Sequence, residues 1–596
     1  MGVRLSRVAA IILGGLLPVA TTLLPTDTTM ASWSLVAALG IGAAVLSPAT
    51  GRLPRPLLIA VSAAVAAFLV SALLAATPLL SLVGRYPRYE GLVTVVGYAL
   101  ALGVGARLLG VCAPEAHRLW FTSSMAVAAL VNLAACLVQL GTAPGSRLIG
   151  LLGNSSILGN WALIALLLLG WQWLGDHRKL WLAGMTASAI VLLLAGSRAS
   201  LVAGAAFLLA APLVSRMVRQ RRGERWPAWW WGPIAAGVMT VAAFAIPTTG
   251  SRLTGATPFS SATIHGRLLL WQDTLPLIAA SPILGVGPSR FVDALGAFNT
   301  PEWAAEVGPY APPDSPHNLI LQVLASAGAL GLAAFLAVVI LVVVSLWRRR
   351  PWDHWQAGAV SALLAVATSY QFSFTDPATT TVALTIVGGA LADRVTESAL
   401  ARWHKARAAA TIAWLIAAVT LAGSALSAET RYSAALNSAH PDANALVAAA
   451  DTRPWDPDLA IRIGSSIAAL AEQARVSPQP GIPMLTRACT QIPFSTQCRL
   501  TLGDLQTLSG DPASAITTLH QALGDDPSNV DVWLKLGIAQ AEAGDAASAE
   551  NSFKTASALR PSAPEPWQDL AALYRRIGRV ADGDTAAARA EQLQRR

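Results

Sequence analysis

The chain has 596 residues, of which 54% are hydrophobic and only 13% are charged. A soluble protein carries roughly 25% charged residues, so a wholly soluble globule is excluded, and a mean hydropathy of +0.52 points to a membrane. The net charge of +9 is not read as a nucleic-acid footprint, because most basic residues stand in short loops between apolar runs, where membrane topology accounts for them.

Apolar runs near the twenty residues that cross a bilayer recur from the N-terminus to about residue 428. They are placed near 8–25, 31–48, 56–77, 91–111, 118–141, 156–174, 179–195, 199–214, 229–247, 318–345, 356–372, 377–393 and 408–428. The first is read as one span among many rather than a cleaved leader. The connecting loops alternate in charge. One side holds Arg4 and Arg7, Arg52 and Arg55, His117 and Arg118, Arg178 and Lys179, Arg216 with the basic run to 225, Arg348 to Arg350, and the basic residues from 394 to 407. The positive-inside rule assigns that side to the cytoplasm. An odd number of spans then sends the C-terminal part across the membrane.

With this orientation the polar features of the other loops share the outer face. They are "VGRYPRYEGL" (83–92), "GSRAS" (196–200), a loop of some seventy residues from about 248 to 317, and "SFTDP" (373–377). Loops of that length in a compact fold are functional or disordered. This one contains "GRLLLWQDTLPLIAASPILGVG" (266–287), which predicts a partly ordered interfacial segment.

Past residue 428 charge and turn residues return. The expected division is a polytopic membrane domain over 1–428 and an extracytoplasmic helical domain over 429–596, with repeats from about 496. Pro493, Pro527 and Pro561 stand 34 residues apart, as do Gly510, Gly544 and Gly578, then Leu502, Leu536 and Leu570, and Ala522, Ala556 and Ala590. That period, with small residues where helices cross, reads as tetratricopeptide helix pairs. Residues 431–492 are expected to hold degenerate helical hairpins. Such stacks bind peptides or proteins on a concave face, so a protein partner on the tail is expected beside the plainer role of scaffold. The fold class is all-α: a polytopic helical membrane domain followed by an α-solenoid.

The cysteines are Cys112, Cys136, Cys489 and Cys498, and no Cys/His spacing suits zinc. If the tail is exported, Cys489 and Cys498 could form a disulfide, which spacing alone does not decide. No metal and no cofactor are expected.

Arginine near a membrane plane is costly and is retained when it meets a partner. Arg198 sits at the tight outer turn of "LLLAGSRASLVAG"; Arg267 opens the amphipathic part of the long loop, Arg290 follows "SPILGVGP", and Arg85 and Arg88 flank "YPRY". Guanidinium forks pair bidentately with phosphate oxygens, so together they suit a lipid-linked pyrophosphate in the outer leaflet. Singly, each also fits snorkelling to headgroups. His317 stands where "PPDSPHNLILQVLASAGALGL" turns from loop to apolar helix. Its neutral imidazole accepts a proton near neutrality. It serves equally as an interfacial or capping residue, with Asn318 or Ser315 the other candidate caps.

The succession "LLLAGSRASLVAG", "GRLLLWQDTLPLIAASPILGVGPSRF" and "DSPHNLILQVLASAGALGLAAF" over 192–335 resembles the O-antigen ligase and polymerase superfamily of bacterial membrane glycosyltransferases, and "GRYPRYEGL" is similar to an early outer loop of that family. The resemblance implies a GT-C-like helical fold and metal-independent, inverting transfer from a polyprenyl-pyrophosphate-linked glycan. It implies Arg198 and Arg267 as pyrophosphate ligands, Arg290 as a weaker one, and His317 as the base acting on the acceptor hydroxyl. It leaves open whether the acceptor is a glycan, a lipid or a protein, that is, ligase, polymerase or protein O-oligosaccharyltransferase. The implied location is the cytoplasmic membrane with the tail outside. A transporter of lipid-linked glycan is the reading from another class. It would place ionisable groups at mid-membrane and repeat its spans, and neither pattern is present.

Overall fold

Residues 2–19, 29–47, 50–143, 147–218, 230–254, 260–307, 313–394 and 404–595 are described by the computed structural model. The expected basic runs at 219–225 and 395–403 lie outside them. The described residues are helical nearly throughout, with only two isolated β-bridges, Arg52 with Asp393 and Val218 with Trp352. The chain divides into two compact units. One comprises residues 1–74, 81–260 and 317–426; the other comprises 75–80, 261–316 and 427–596.

In the first unit helix covers most of the described part of each expected span, while the expected spans 8–25, 31–48 and 229–247 run partly outside the described residues. Among the described residues seven helices are long and apolar enough to cross a membrane, or eight if the pair around Pro247 is one broken span bent by 103°. Lys179–Ala195 and Pro377–Leu391 are shorter apolar helices. These are the features of a multi-pass membrane protein.

Between apolar helices in lipid, close backbone approach replaces the hydrophobic drive. Leu92–Leu109 and Pro377–Leu391 meet in this way. A Cβ at Gly105 would stand 2.0 Å from the Thr385 carbonyl oxygen, and one at Gly388 would stand 2.0 Å from that of Leu102. Polar groups freed by irregular backbone find partners. Leu319–Arg348 breaks at Gly328 (φ 61°, ψ −162°), and the Ser71 hydroxyl donates to the Ser326 carbonyl at 2.7 Å. At the opposite end of the same helix, Arg349 donates to the carbonyls of Leu391 (2.7 Å) and Ala392 (3.2 Å) and pairs with Asp393 (2.6 Å). It thereby satisfies the last carbonyls of Pro377–Leu391.

In the second unit three helix pairs follow at the expected period: Thr496–Leu508 with Pro512–Asp525, Val530–Glu542 with Ala546–Leu559, and Glu565–Arg576 with Val580–Gln594. Gly510, Gly544 and Gly578 each adopt φ of 80–85°. The turn between paired helices needs the left-handed region that glycine occupies without strain, which explains their spacing. Gly503 and Gly537 make room for Leu519 and Phe553, whose side chains a Cβ would meet at 2.7 and 2.5 Å. Asp511 and Asp545 cap the second helices through the amides of Ser514 and Ser548. Upstream, residues 431–492 hold the helices Ala443–Asp451, Pro457–Glu472 and Gly481–Gln491. A buried Glu429 takes a two-pronged pair from Arg462, at 2.7 and 2.9 Å. Cys489 and Cys498 are joined as a disulfide.

The long loop is ordered over much of its length. Ser260–Ala280 is one helix, in the second unit from Ser261 on, with Leu269, Leu270 and Leu277 buried and Ile264, Leu268 and Leu275 exposed.

Candidate functional site

In the first unit, the site begins at the start of Leu319–Arg348. Asn318 is the cap: its side-chain oxygen accepts from the Leu321 amide at 3.0 Å and its nitrogen donates to the Gln371 carbonyl at 3.1 Å. The Leu319 amide donates to the Tyr370 carbonyl at 2.9 Å. Both bonds tie this helix start to the C-terminal turn of His354–Ser369. His317 is therefore not the cap. It adopts φ of 50°, a conformation uncommon outside glycine that is retained where surrounding structure enforces it.

The His317 ring lies 5.4 Å from that of Phe374. The Arg88 guanidinium carbon lies 5.5 Å from the same ring. Arg88 is buried and paired with Glu90 at 3.0 Å, and Glu90 accepts from the Tyr98 hydroxyl at 2.6 Å. The "GRYPRYEGL" loop is tightly folded: a Cβ at Gly84, where φ is 85°, would stand 2.4 Å from the Tyr89 backbone. Two turns distant in sequence, 84–91 and 370–376, thus meet at the Phe374 ring, which the imidazole also approaches. Asp376 is buried in the second of these and caps Pro377–Leu391 through the Thr379 amide at 2.7 Å. Burial pushes its carboxyl up to about 7, with the Glu90 carboxylate adding to the rise against the Thr379 hydrogen bonds. Arg85, also buried, belongs to the same loop and offers its carbonyl to the Tyr89 amide at 2.7 Å.

Arg198 opens Arg198–Ser215 behind its cap Ser197. Its guanidinium donates to the Arg252 carbonyl. Thr249 donates to the Leu193 carbonyl at 2.8 Å, so the short helix Pro247–Leu253 is fastened over this turn.

Arg267 and Arg290 belong to the second unit. Arg267 lies on Ser260–Ala280. Arg290 is buried and donates to the Thr77 hydroxyl at 2.7 Å. Trp271 donates its indole N–H to the Pro316 carbonyl at 2.8 Å. His265 pairs with Glu306 at 3.1 Å. Among the described residues, no three His, Cys, Asp or Glu side chains are grouped as metal ligands.

Of the expected residues, His317 and Arg88 are brought together on Phe374. The residues not anticipated are Glu90, Tyr98, Phe374 and Asp376. Glu90 and Asp376 stood inside the quoted outer stretches, but nothing local distinguished them from ordinary loop carboxylates.

Fold and site together define a multi-pass helical membrane protein with a helical-repeat tail. Residues 183–336, which include Arg198, Arg267, Arg290 and His317, match the O-antigen ligase family. Residues 507–574 match the tetratricopeptide repeat family. The expected architecture, an O-antigen-ligase-type membrane region followed by tetratricopeptide repeats, is shown by these two matches. The comparison with curated proteins gave no match. Among solved structures the chain is similar to MamA residues 41 to the end from Desulfovibrio magneticus RS-1 (16% identity, 26% of this chain and 84% of that one, TM-score 0.23). It is also similar to TTC0263, a thermophilic TPR protein in Thermus thermophilus (23% identity, 29% and 87%, TM-score 0.23).

Proposed function

We propose that this protein transfers a glycan from a polyprenyl-pyrophosphate donor to an acceptor hydroxyl at the outer face of the cytoplasmic membrane. In this reading residues 1–428 form the transferase domain and 429–596 an extracytoplasmic repeat domain. The carrying observation is His317, held in left-handed backbone at a capped helix start and against the Phe374 ring that Arg88 also approaches, within the segment that matches the O-antigen ligase family.

The imidazole takes the proton of the acceptor hydroxyl. The oxygen forms a bond to the anomeric carbon from the face opposite the pyrophosphate, and the bond from that carbon to the pyrophosphate oxygen breaks, inverting the centre. The leaving pyrophosphate keeps the electron pair and is neutralised by guanidinium groups in surroundings where charge stabilisation is strong. Arg198 and Arg267 are assigned to it, with Arg290 and Arg85 as further ligands. Arg88 would contact phosphate in exchange for Glu90. No metal or cofactor is assigned a role.

The repeat tail favours transfer onto an acceptor other than the growing glycan, which argues against a polymerase; ligase-type transfer is the preferred reading, with protein O-oligosaccharyl transfer the alternative that the tail also accommodates. The test is transfer by the purified chain with a polyprenyl-pyrophosphate glycan. His317→Ala is expected to bind donor yet lose turnover by about 10²–10⁴-fold, and Arg198→Ala to bind donor more weakly. Full turnover by His317→Ala removes the base. Passage of intact donor across a bilayer without bond cleavage replaces the transferase with a transporter.

A further inference from the structure

The turns that carry Arg198 and His317 belong to different helices, yet one buried side chain is bonded toward both. Asn160 lies one turn into Ser155–Asp176 and is buried. Its side-chain oxygen accepts from the Ser200 hydroxyl at 2.8 Å and from the Ser369 hydroxyl at 2.5 Å. Ser200 is within 2.9 Å of the Ser197 hydroxyl. Since Ser200 donates its proton to Asn160, Ser197 donates to Ser200. Ser197 is the cap that precedes Arg198. On the other side, Ser369 ends His354–Ser369, and the next two carbonyls, of Tyr370 and Gln371, hold Leu319 and Asn318. The path Ser197–Ser200–Asn160–Ser369 therefore runs from the arginine turn to the histidine turn. The helices are fitted for it: a Cβ at Gly159 would stand 2.8 Å from the Ser197 Cβ and 2.9 Å from the Ser200 hydroxyl.

We infer that Asn160 is a positioning residue that holds the Arg198 turn in register with the His317 turn; the inference rests on the proposed transferase reading for its kinetic consequence. Polar bonds between membrane helices are individually of modest worth, because partners are also found when helices separate. A four-residue chain between two functional turns is therefore better explained by geometry than by stability. Displacing a reacting group by an ångström slows the reaction far more than the energy of one hydrogen bond would suggest.

The test uses the full chain in lipid nanodiscs, with Ser200→Ala, Ser369→Ala and their combination. Each single change is expected to lower kcat about tenfold, the scale of a small misplacement, with donor affinity held within about twofold. Either cut severs the same bridge, so the double variant should be no worse than the weaker single. Losses that multiply in the double variant overturn the inference, since each serine then acts on its own helix alone. Amide hydrogen exchange supplies an arm that needs no activity. Asn160→Leu should speed exchange both at 197–200 and at Leu319. Loosening of only one turn sinks the bridge whether or not the chain transfers glycan, whereas loosening of both in a chain without transferase activity retains the bridge and removes only the proposed reaction.

Discussion

Arg88 and His317 approach one ring, that of Phe374, at 5.5 and 5.4 Å from its centroid. An aromatic face attracts a guanidinium and packs an imidazole at contributions of about 0.5–1.5 kcal/mol each. Phe374→Leu keeps the apolar volume and removes the ring. It is expected to lower kcat up to about tenfold, the rate equivalent of about 1.4 kcal/mol, with donor affinity little changed. Steady-state kinetics with donor binding measured separately checks this. Unaltered kcat would mean that the ring does not hold the base.

The membrane region should respond to added volume according to position. Gly105→Ala forces a methyl against the Thr385 carbonyl, 2.0 Å away, and overpacking of this kind costs about 1–3 kcal/mol. Gly103, on the same helix, has nothing within 4 Å of its Cβ position, so Gly103→Ala should be neutral or mildly stabilising through helix propensity. Thermal unfolding of the two variants in detergent separates them. Equal midpoints would contradict the close helix pair.

The disulfide joins cysteines nine positions apart, closing a ring that runs from Cys489 through Cys498 inclusive. Loop-closure entropy for a ring of that size is worth about 2.7 kcal/mol in the chain-entropy model. Cys489→Ser/Cys498→Ser should lower the midpoint of the repeat tail accordingly. In intact cells a membrane-impermeant thiol reagent should label the pair only after reduction. Labelling without reductant would mean that the two thiols are not bonded, and no labelling even after reduction would contradict the proposed outer location of the tail.

Asp569 in the last repeat carries a carboxyl pushed up to about 6 by burial, which Lys535 opposes and Glu565 reinforces. Its folded value lies above the ordinary 3.8, so the folded state binds the proton more tightly than the unfolded chain. The tail therefore gains stability as pH falls from above 6 toward 4, and the ionised group is a burden at neutral pH. Asp569→Asn should raise the midpoint at pH 7.5 and lose that advantage near pH 4. Circular dichroism melts across this range decide it; a gain independent of pH would trace to packing instead of charge.

Periodicity and composition determined a great deal. Runs of apolar residues placed the membrane helices, because a helix in lipid has to satisfy its own backbone and show apolar side chains. The 34-residue step placed the repeat turns, because Gly510, Gly544 and Gly578 answer to a local backbone requirement, φ near 80°. The break between His317 and the following helix was visible for the same reason, since caps are local. Which residue capped it was not: the choice between His317, Ser315 and Asn318 turned on the carbonyls of Tyr370 and Gln371, some fifty residues away. The pairing of Arg88 with Glu90, the ring of Phe374 between Arg88 and His317, and the oxygen of Asn160 between Ser200 and Ser369 were likewise decided only by tertiary structure. A hydrogen bond or ring contact between distant segments leaves no period in the chain, because its partners are selected by where whole helices pack.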